Sequence, residues 1–539
     1  MKIEVKINNI SSHPERHKVK TGNNSLKDTV SIGSRKDIGA SYYPQDPSVS
    51  EPVLTKIAGT NITPGPDNER IDTNGDVKPR SDGNFIYSPE EPEFINVQTF
   101  VTVDKVINMT EKFLGKKIPW SFGRDKIIIN PDKGVMANAF YNKKDGTLNF
   151  FHFKDKKTGQ TIQTGKSFDI GAHETGHARL DGMKPNFLKW NIETEAIHEA
   201  FSDIVSMLAS LQEDKVCELF LKETGGNFRK ENLLSRIGEQ FGQSVMGKPF
   251  IRSAINSYTY SNPYLLPQMQ QEDELTGEAH VFGQLFVGAF YDIMEKVFHH
   301  YVSQGMDHKE ALTKMSNTCG KLFMKAIDIC PPSEATYKDI AQAMIKVDQM
   351  EEKGKYKNIL KDVFEKRWIL LENKEAPQEI RGSKFINPSD KESILSFIDR
   401  NRELTGFSGD TPLKIEKTEK NKDGSTIIDL TYTQEVTLSG SDYGIFDGAM
   451  IEMTGGVNIM SDTAGEVCSL ASRAVDRDNI ENTKNRLKNL IKEGRIKFID
   501  PSVKKIEEKD LFDNKGIPYA GYTLYEDGKM KIVPSTVIQ

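Results

Sequence analysis

The sequence predicts an α+β protein with more than one domain. The chain has 539 residues, whereas single domains usually have about 50 to 250. Apolar residues follow a mainly helical pattern over residues 169–371, and strand-like runs lie before and after this stretch. The proportions of apolar (37%) and charged (28%) residues are typical of folded proteins, which excludes collagen, coiled-coil and wholly disordered chains.

Three regions follow one another along the chain. Residues 1–93 are predicted to be an extended or poorly ordered arm, because seven of the 23 prolines lie between Ser11 and Asn84 among polar residues. Residues 94–372 are predicted to be a first folded domain that begins with a helix, continues with strands and then becomes mainly helical. Residues 373–539 are predicted to be a C-terminal α+β accessory domain, separable from the first, which selects substrates or restrains activity.

The first domain is predicted to open with a helix and two strands. Apolar residues recur at helical spacing from Phe94 onward, and Gly115 provides a typical helix end. Strand-like runs follow at Lys126–Ile129 and Leu148–Phe153. The pattern then becomes mainly helical from Asp169.

The C-terminal domain contains both helix and hairpin signals. Ser389 and Glu392 have the spacing of a capping box at the start of a helix. Asp423-Gly424 lies between two alternating runs and predicts a hairpin turn. A further helix is predicted at Asn479–Lys492, with Gly494 after its end.

Charge and cysteine content limit the partners and the compartment. The chain has 72 Lys and Arg against 78 Asp and Glu without a long block of one sign, so we expect neither nucleic acid nor membrane as a partner. The four cysteines form no Cys-x-x-Cys pair and are expected to be reduced. Neither a signal peptide nor a membrane-length apolar run is found. We therefore expect a cytoplasmic protein, with export by a signal-independent route left open and no prediction of oligomeric state.

The segment His173-Glu174-Thr175-Gly176-His177 indicates a metal site. On a helix, His173 and His177 lie one turn apart on one face, so that two imidazole nitrogens can bind one zinc ion. Glu174 projects beside them, toward the position of a metal-bound water. The motif therefore supplies two metal ligands and a candidate general base.

A second helical segment supplies the remaining groups. Two histidines leave a zinc site without a third protein ligand, and Glu199 follows His177 by 22 positions. Asp203 lies one turn after Glu199 on the same face of this helix. Because a metal-bound histidine usually donates its second ring N–H to an acceptor, Asp203 is predicted to orient His173.

With these two segments the chain resembles the thermolysin-like zinc metallopeptidases, within the gluzincins, as an atypical member. The resemblance covers about residues 95–372. It implies a mixed β-sheet lobe and a helical lobe that meet at the helix Asp169–Gly182. It also implies one catalytic zinc ion held by His173, His177 and Glu199, with Glu174 as the general base.

Three further segments carry the resemblance. Asn138-Ala139-Phe140-Tyr141 is similar to the family's edge strand, whose Asn side chain and Ala carbonyl bind the substrate backbone. Arg252 resembles the arginine that braces the binding pocket. His280, within Gly277–Gly283, resembles the histidine that stabilises the oxyanion.

The sequence also departs from the family pattern. Trp190 lies where a tyrosine usually shares the stabilisation of the oxyanion. No acid lies at the usual distance before His280, which leaves Glu274 as the nearest candidate to orient it. Asp169 matches one calcium ligand of the family, but the other acids of that site are not recognisable, so the resemblance does not predict bound calcium.

The predicted function is that of a zinc-dependent endopeptidase acting on a peptide or protein substrate. Two alternatives stay open. An aminopeptidase-like gluzincin would use the same ligands, although Val135-Met136-Ala137-Asn138 offers no carboxylate for the free amine of a substrate. A non-catalytic protein that holds zinc is the second, and Trp190 is the feature that favours it.

Overall fold

The structure is a computed structural model. It describes residues 37–57, 62–187, 190–268, 274–371, 380–407, 410–503, 505–514 and 516–538. The first 36 residues of the predicted arm lie outside the described residues. So does the predicted domain boundary between residues 372 and 373.

The described residues contain twelve α-helices. They are α1 (Phe94–Leu114), α2 (Phe168–Met183), α3 (Ile192–Ser210), α4 (Asp214–Thr224), α5 (Glu239–Phe241), α6 (Ala279–Ser303), α7 (His308–Ile329), α8 (Tyr337–Glu351), α9 (Lys357–Lys366), α10 (Lys391–Arg400), α11 (Arg402–Thr405) and α12 (Arg477–Lys492).

Eighteen strands lie in the same described ranges. They are β1 (Ile38–Tyr42), β2 (Val53–Ile57), β3 (Ile71–Asp72), β4 (Ile127–Asn130), β5 (Ala139–Asn142), β6 (Thr147–Phe150), β7 (His152–Lys154), β8 (Thr161–Gln163), β9 (Arg236–Ile237), β10 (Arg252–Ser253), β11 (Lys414–Lys420), β12 (Thr426–Thr437), β13 (Met450–Ser461), β14 (Val467–Arg473), β15 (Ile496–Lys497), β16 (Gly521–Glu526), β17 (Lys529–Pro534) and β18 (Val537–Ile538). Helices and strands are both abundant, which confirms the α+β class.

A five-stranded mixed sheet lies beside the first two long helices. Its strand order is β18-β5-β6-β4-β3. Strands β3, β4 and β6 are parallel, whereas β5 is antiparallel to β6 and β18 is antiparallel to β5. The last strand of the chain therefore completes a sheet whose other strands precede residue 151.

Helix α2 lies at the centre of the molecule, packed against α1 and α3. The close approach of α2 to α3 depends on Gly176, since a Cβ atom at that position would lie 2.8 Å from the Cα atom of Ser202. Almost every residue of α3 is buried. This packing turns the histidines of α2 toward the acids of α3.

Several predicted elements agree closely with the structure. Helix α1 spans the predicted stretch, and Gly115 ends it in the left-handed conformation with φ of 85°. The hairpin turn at Asp423-Gly424 joins β11 to β12. At α10, however, the N-cap is Asp390, which accepts the backbone N–H of Glu392, and not Ser389. Both residues are typical helix caps, so composition alone leaves the start uncertain by one position.

Part of the predicted N-terminal arm is folded. Strands β1, β2 and β3 lie within it, and Tyr42, Ile71 and Phe85 are buried in the same core as α1. These apolar side chains are widely spaced in the sequence and therefore produce no periodic signal.

The C-terminal region is built on a second sheet of seven strands. Its main path is β11-β12-β13-β17-β16-β15, and β14 also pairs with β13. The described residues from Asp37 onward form one compact unit. Among the described helices, none combines the length and the apolar character needed to cross a bilayer.

Candidate metal centre

Three side chains from α2 and α3 converge on one point. His173 Nε2 lies 3.4 Å from one carboxylate oxygen of Glu199, and His177 Nε2 lies 3.6 Å from the other. The two Nε2 atoms are 3.1 Å apart. All three side chains are buried. This buried His-His-Glu group could hold a metal ion.

Residues around the group orient its first histidine. His173 Nδ1 lies 2.6 Å from Asp203 Oδ1, so that its Nε2 atom faces Glu199. Arg252 on β10 donates two hydrogen bonds to Asp203, at 2.8 and 3.0 Å. Burial lowers the pKa of His173, but the charge of Asp203 and their hydrogen bond outweigh it and raise the pKa to about 10.

Glu174 lies beside the group with an unsatisfied carboxylate oxygen. Its side chain is buried, and within the described part of the chain its Oε2 atom accepts no hydrogen bond. Burial raises the pKa of Glu174 to about 7, with His173 opposing the shift. A carboxylate with a pKa near neutrality can both accept and release a proton at physiological pH.

The donor set suits zinc. Two imidazole nitrogens and one carboxylate are the three protein ligands of many catalytic zinc sites, which keep the fourth position open. Glu199 Oε2 has no well-aligned hydrogen bond among the described residues, although the Nε2 atoms of His173 and His280 lie 3.4 and 3.2 Å from it. Buried carboxylate oxygens without donors are costly unless a cation or water satisfies them.

His173 of this group and the neighbouring Glu174 line a cavity of about 270 Å³. Its walls bring together side chains that are far apart in the sequence. The predicted site residues that line it are Asn138, Ala139, His173, Glu174, Arg252 and His280. Apolar side chains of Ile170, Ile237 and Phe241 form another part of the wall. The cavity therefore combines polar groups near the cluster with an apolar surface.

His280 is oriented by Glu278, an acid that was not predicted from the sequence. Its Nδ1 atom lies 2.8 Å from Glu278 Oε1, and its Nε2 atom lies 3.2 Å from Glu199 Oε2. Glu278 is the N-cap of α6 and also accepts the backbone N–H of Val281. The expectation for Glu274 is wrong, because that side chain is exposed and Glu278 makes the contact. No local signal pointed to Glu278, since Glu is not among the residues preferred at N-caps.

Trp190 occupies a different environment from the one its alignment suggested. Its side chain is 2% exposed and packs among Tyr443, Leu487 and Ile532 of the C-terminal region. It does not line the cavity beside His173. The indole is therefore part of the packing between regions of the chain.

A second buried group of acids lies near the start of α2. Asp46, Asp169 and Glu239 have carboxylate oxygens within 4.8 Å of one another and could hold a metal ion. Neither oxygen of Glu239 accepts a hydrogen bond from a described residue, although Arg236 lies 3.7 Å away. Burial, and then the charges of the two aspartates, raise the pKa of Glu239 to about 9. The sequence identified only Asp169, since its two partners come from distant segments.

Comparison with known proteins adds no family assignment. A scan against family models and a search of curated proteins find no match to this chain.

Proposed function

We propose that this chain is a zinc-dependent endopeptidase of the thermolysin-like gluzincin type. One observation carries the proposal. His173, which forms the buried group with His177 and Glu199, lines the same cavity as Glu174, His280 and Ala139 of the edge strand β5. Peptide hydrolysis needs a metal, a base, a group that offsets the developing negative charge, and a place for the peptide backbone.

Each residue has a chemical role in this proposal. Zinc bound by the three ligands would act as a Lewis acid and lower the pKa of water. Glu174 accepts the proton of the attacking water, for which a pKa near 7 is suitable. His280, held by Glu278, donates toward the oxygen on which negative charge develops. Asp203 and Arg252 keep His173 oriented.

The substrate backbone is proposed to bind along β5. Asn138 and Ala139 line the cavity next to Glu174. Strand β5 pairs with β6 on one edge, and on the other edge β18 pairs with Tyr141 and Asn142, beyond Ala139 and Phe140. An extended peptide can add to a free strand edge through main-chain hydrogen bonds. The apolar wall that includes Phe241 would accept an apolar side chain of the substrate.

The two alternative functions have weaker support. An aminopeptidase needs a carboxylate for the free amine of its substrate. Apart from the proposed base Glu174, the acid that the described residues place in the lining of this cavity is Glu278, and both of its oxygens are engaged by His280 and Val281. The non-catalytic hypothesis was motivated by Trp190, whose indole does not line the cavity.

A peptide library with and without a chelator tests the proposal. We expect the zinc-loaded protein to cut within peptides, a zinc-selective chelator to stop cleavage, and added zinc to restore it. Release of single N-terminal residues would favour the aminopeptidase. Zinc binding without any cleavage would favour the non-catalytic protein.

A further inference from the structure

The C-terminal strand of the chain lies on the proposed substrate-binding strand. In β18, Val537 pairs with Asn142 and Ile538 pairs with Tyr141, in antiparallel orientation. The backbone N–H of Lys143 donates to the carbonyl oxygen of Thr536 at 2.8 Å. The edge of β5 that is not paired with β6 is therefore occupied over its second half.

The direction of β18 carries it toward the metal centre. Because the pairing is antiparallel, the chain from Val537 to Ile538 runs from Asn142 toward Ala139. Ala139 lines the cavity that contains His173 and Glu174. An antiparallel peptide on this edge would follow the same line, so that β18 takes backbone positions that a longer peptide would need.

Side chains hold this segment against the β-sheet lobe. Val537 packs in one cluster with Phe140 of β5 and with Leu511. The rings of Phe140 and Phe512 are 5.2 Å apart. Lys133 also forms an ion pair with Glu508 at 2.5 Å.

The same region contacts the helical side of the cavity. Arg486 on α12 donates to a carboxylate oxygen of Glu195 at 2.5 Å and to the carbonyl oxygen of Trp190 at 2.8 Å. A second cavity, of about 330 Å³, lies beneath this region. Glu199 and His280 line it together with Val537, Ile538 and Arg495.

We propose that β18 is a built-in cover for the substrate-binding edge of β5, so that cleavage of a long peptide requires its displacement. The proposal rests on the proposed function. One edge of a strand can pair with only one partner at a time, and β18 occupies this edge of β5 at Tyr141 and Asn142. The rate with a long substrate is then proportional to the fraction of molecules in which the cover is open.

A reversible disulfide between the two strands provides the test. Val537 and Asn142 form a non-hydrogen-bonded pair, the position at which opposite side chains are closest. Both are replaced by cysteine in full-length protein that also carries Cys468→Ser, since Cys468 is the partly exposed native thiol. We expect the oxidised protein to cut a long internally quenched peptide at least tenfold more slowly than the same protein after reduction. Asn142→Cys and Val537→Cys alone are the controls and should not respond to reductant.

A release variant tests the opposite direction. Ile538→Pro removes a backbone N–H from β18 and disfavours strand pairing. We expect faster hydrogen exchange in β5, unchanged zinc content and about tenfold faster cleavage of the long peptide. Faster hydrogen exchange in β5 without faster cleavage of the long peptide would show that β18 does not restrict access of the substrate. Equal rates of the oxidised and reduced double variant, with the disulfide verified by mass, would overturn the cover as well.

Failure of the cover and failure of the proposed function are distinguishable. If a chelator stops cleavage but the oxidised double-cysteine protein and Ile538→Pro cut at equal rates, the peptidase proposal stands and the cover is wrong. If the Ile538→Pro protein cuts nothing, we measure instead how tightly the zinc-loaded parent and the zinc-loaded Ile538→Pro protein bind the same peptide. Tighter binding by Ile538→Pro than by the parent would support β18 as the cover of a protein that binds peptides without cutting them. No binding by either protein would overturn both the cover and the proposed function.

Discussion

Glu174 is the residue on which the proposed chemistry depends most directly. Glu174→Gln keeps the size and shape of the side chain but cannot accept the proton of water. We expect peptide cleavage to fall by about 10²- to 10⁴-fold, the usual contribution of a general base, with zinc retained. His173→Ala is the comparison, because it should lose zinc as well as activity. Elemental analysis and peptide assays on both variants measure this, and full activity in Glu174→Gln would assign the base elsewhere.

Glu278 is predicted to position His280 without touching substrate. Its carboxylate lies 2.8 Å from His280 Nδ1, and a hydrogen bond to a charged group contributes about 1.5 to 3 kcal/mol. Glu278→Gln should therefore lower kcat by about tenfold or more while KM changes less. Glu274→Gln is a matched control, since Glu274 is exposed. Equal kcat values in the two variants would contradict the positioning role.

At the scale of elements, the acids Asp46, Asp169 and Glu239 join the segment after β1 to the starts of α2 and α5. We expect a hard divalent cation such as calcium to bind there and stabilise this junction by about 3 kcal/mol when it is a hundredfold above its Kd. The thermal midpoint should rise with added calcium in the parent protein and hardly at all in Glu239→Gln.

The calcium effect should also depend on pH. The pKa of Glu239 is raised to about 9 and that of Asp46 to about 6, so a cation must displace protons at neutral pH and binds better as pH rises. The shift in thermal midpoint should therefore be larger at pH 8 than at pH 6. The exposed Glu231→Gln should behave like the parent, and an equal shift in Glu239→Gln would place the cation elsewhere.

Helix α3 carries a second pH-sensitive acid in its first turn. Burial raises the pKa of Glu193 to about 7, although the Tyr337 backbone N–H and the Tyr260 hydroxyl donate to it. Because the pKa of Glu193 is higher in the folded than in the unfolded chain, its protonation stabilises the folded state fully at pH values below the pKa of the unfolded chain. This stabilisation is lost as the pH rises through 7. The shift corresponds to a contribution on the order of 3 kcal/mol.

Glu193→Gln removes this titration while keeping a hydrogen-bond acceptor. We expect the loss of thermal stability between pH 5 and pH 8 to be smaller in Glu193→Gln than in the parent. Unfolding scans at both pH values, with Glu231→Gln as the exposed control, measure the difference. Identical pH dependence in all three proteins would show that Glu193 does not titrate as described.

At the scale of the whole molecule, the C-terminal region is part of the packing of the rest of the chain. Trp190 is buried among its side chains, and β18 completes the five-stranded sheet. The Lys184 ammonium is fully buried and lies between the Asp328 carbonyl and the Asp429 carboxylate, which belong to the two sides of this interface.

Truncation after residue 371 should therefore be destabilising. It would expose Trp190 and Phe140 and leave the Lys184 ammonium without its carboxylate partner. We expect a lower thermal midpoint or an insoluble product, in contrast to the separable domain that the sequence predicts. Sedimentation and unfolding of the truncated chain measure this. A soluble truncation with an unchanged midpoint would support separability.

The sequence by itself determined the parts of the site that are local. His173, Glu174 and His177 lie about one helical turn apart on one helix, so helical periodicity is enough to bring them together. Glu199 lies on the next helix, and its residue type and spacing predicted it as the third ligand, but the packing of α3 against α2 brings it to the histidines. Helix α1, with its glycine stop, follows from the same periodicity. Spacing within one helix carries this information because it does not depend on how the rest of the chain folds.

Only the tertiary structure decided which distant segments meet. The orienting acid Glu278, the acidic partners Asp46 and Glu239, and the burial of Trp190 depend on packing between elements that no sequence period relates. The pairing of β18 with β5 is of the same kind, since two-residue strands have almost no signal of their own. Such contacts depend on the burial and hydrogen bonding of the whole folded chain, and a local sequence pattern holds no information about them.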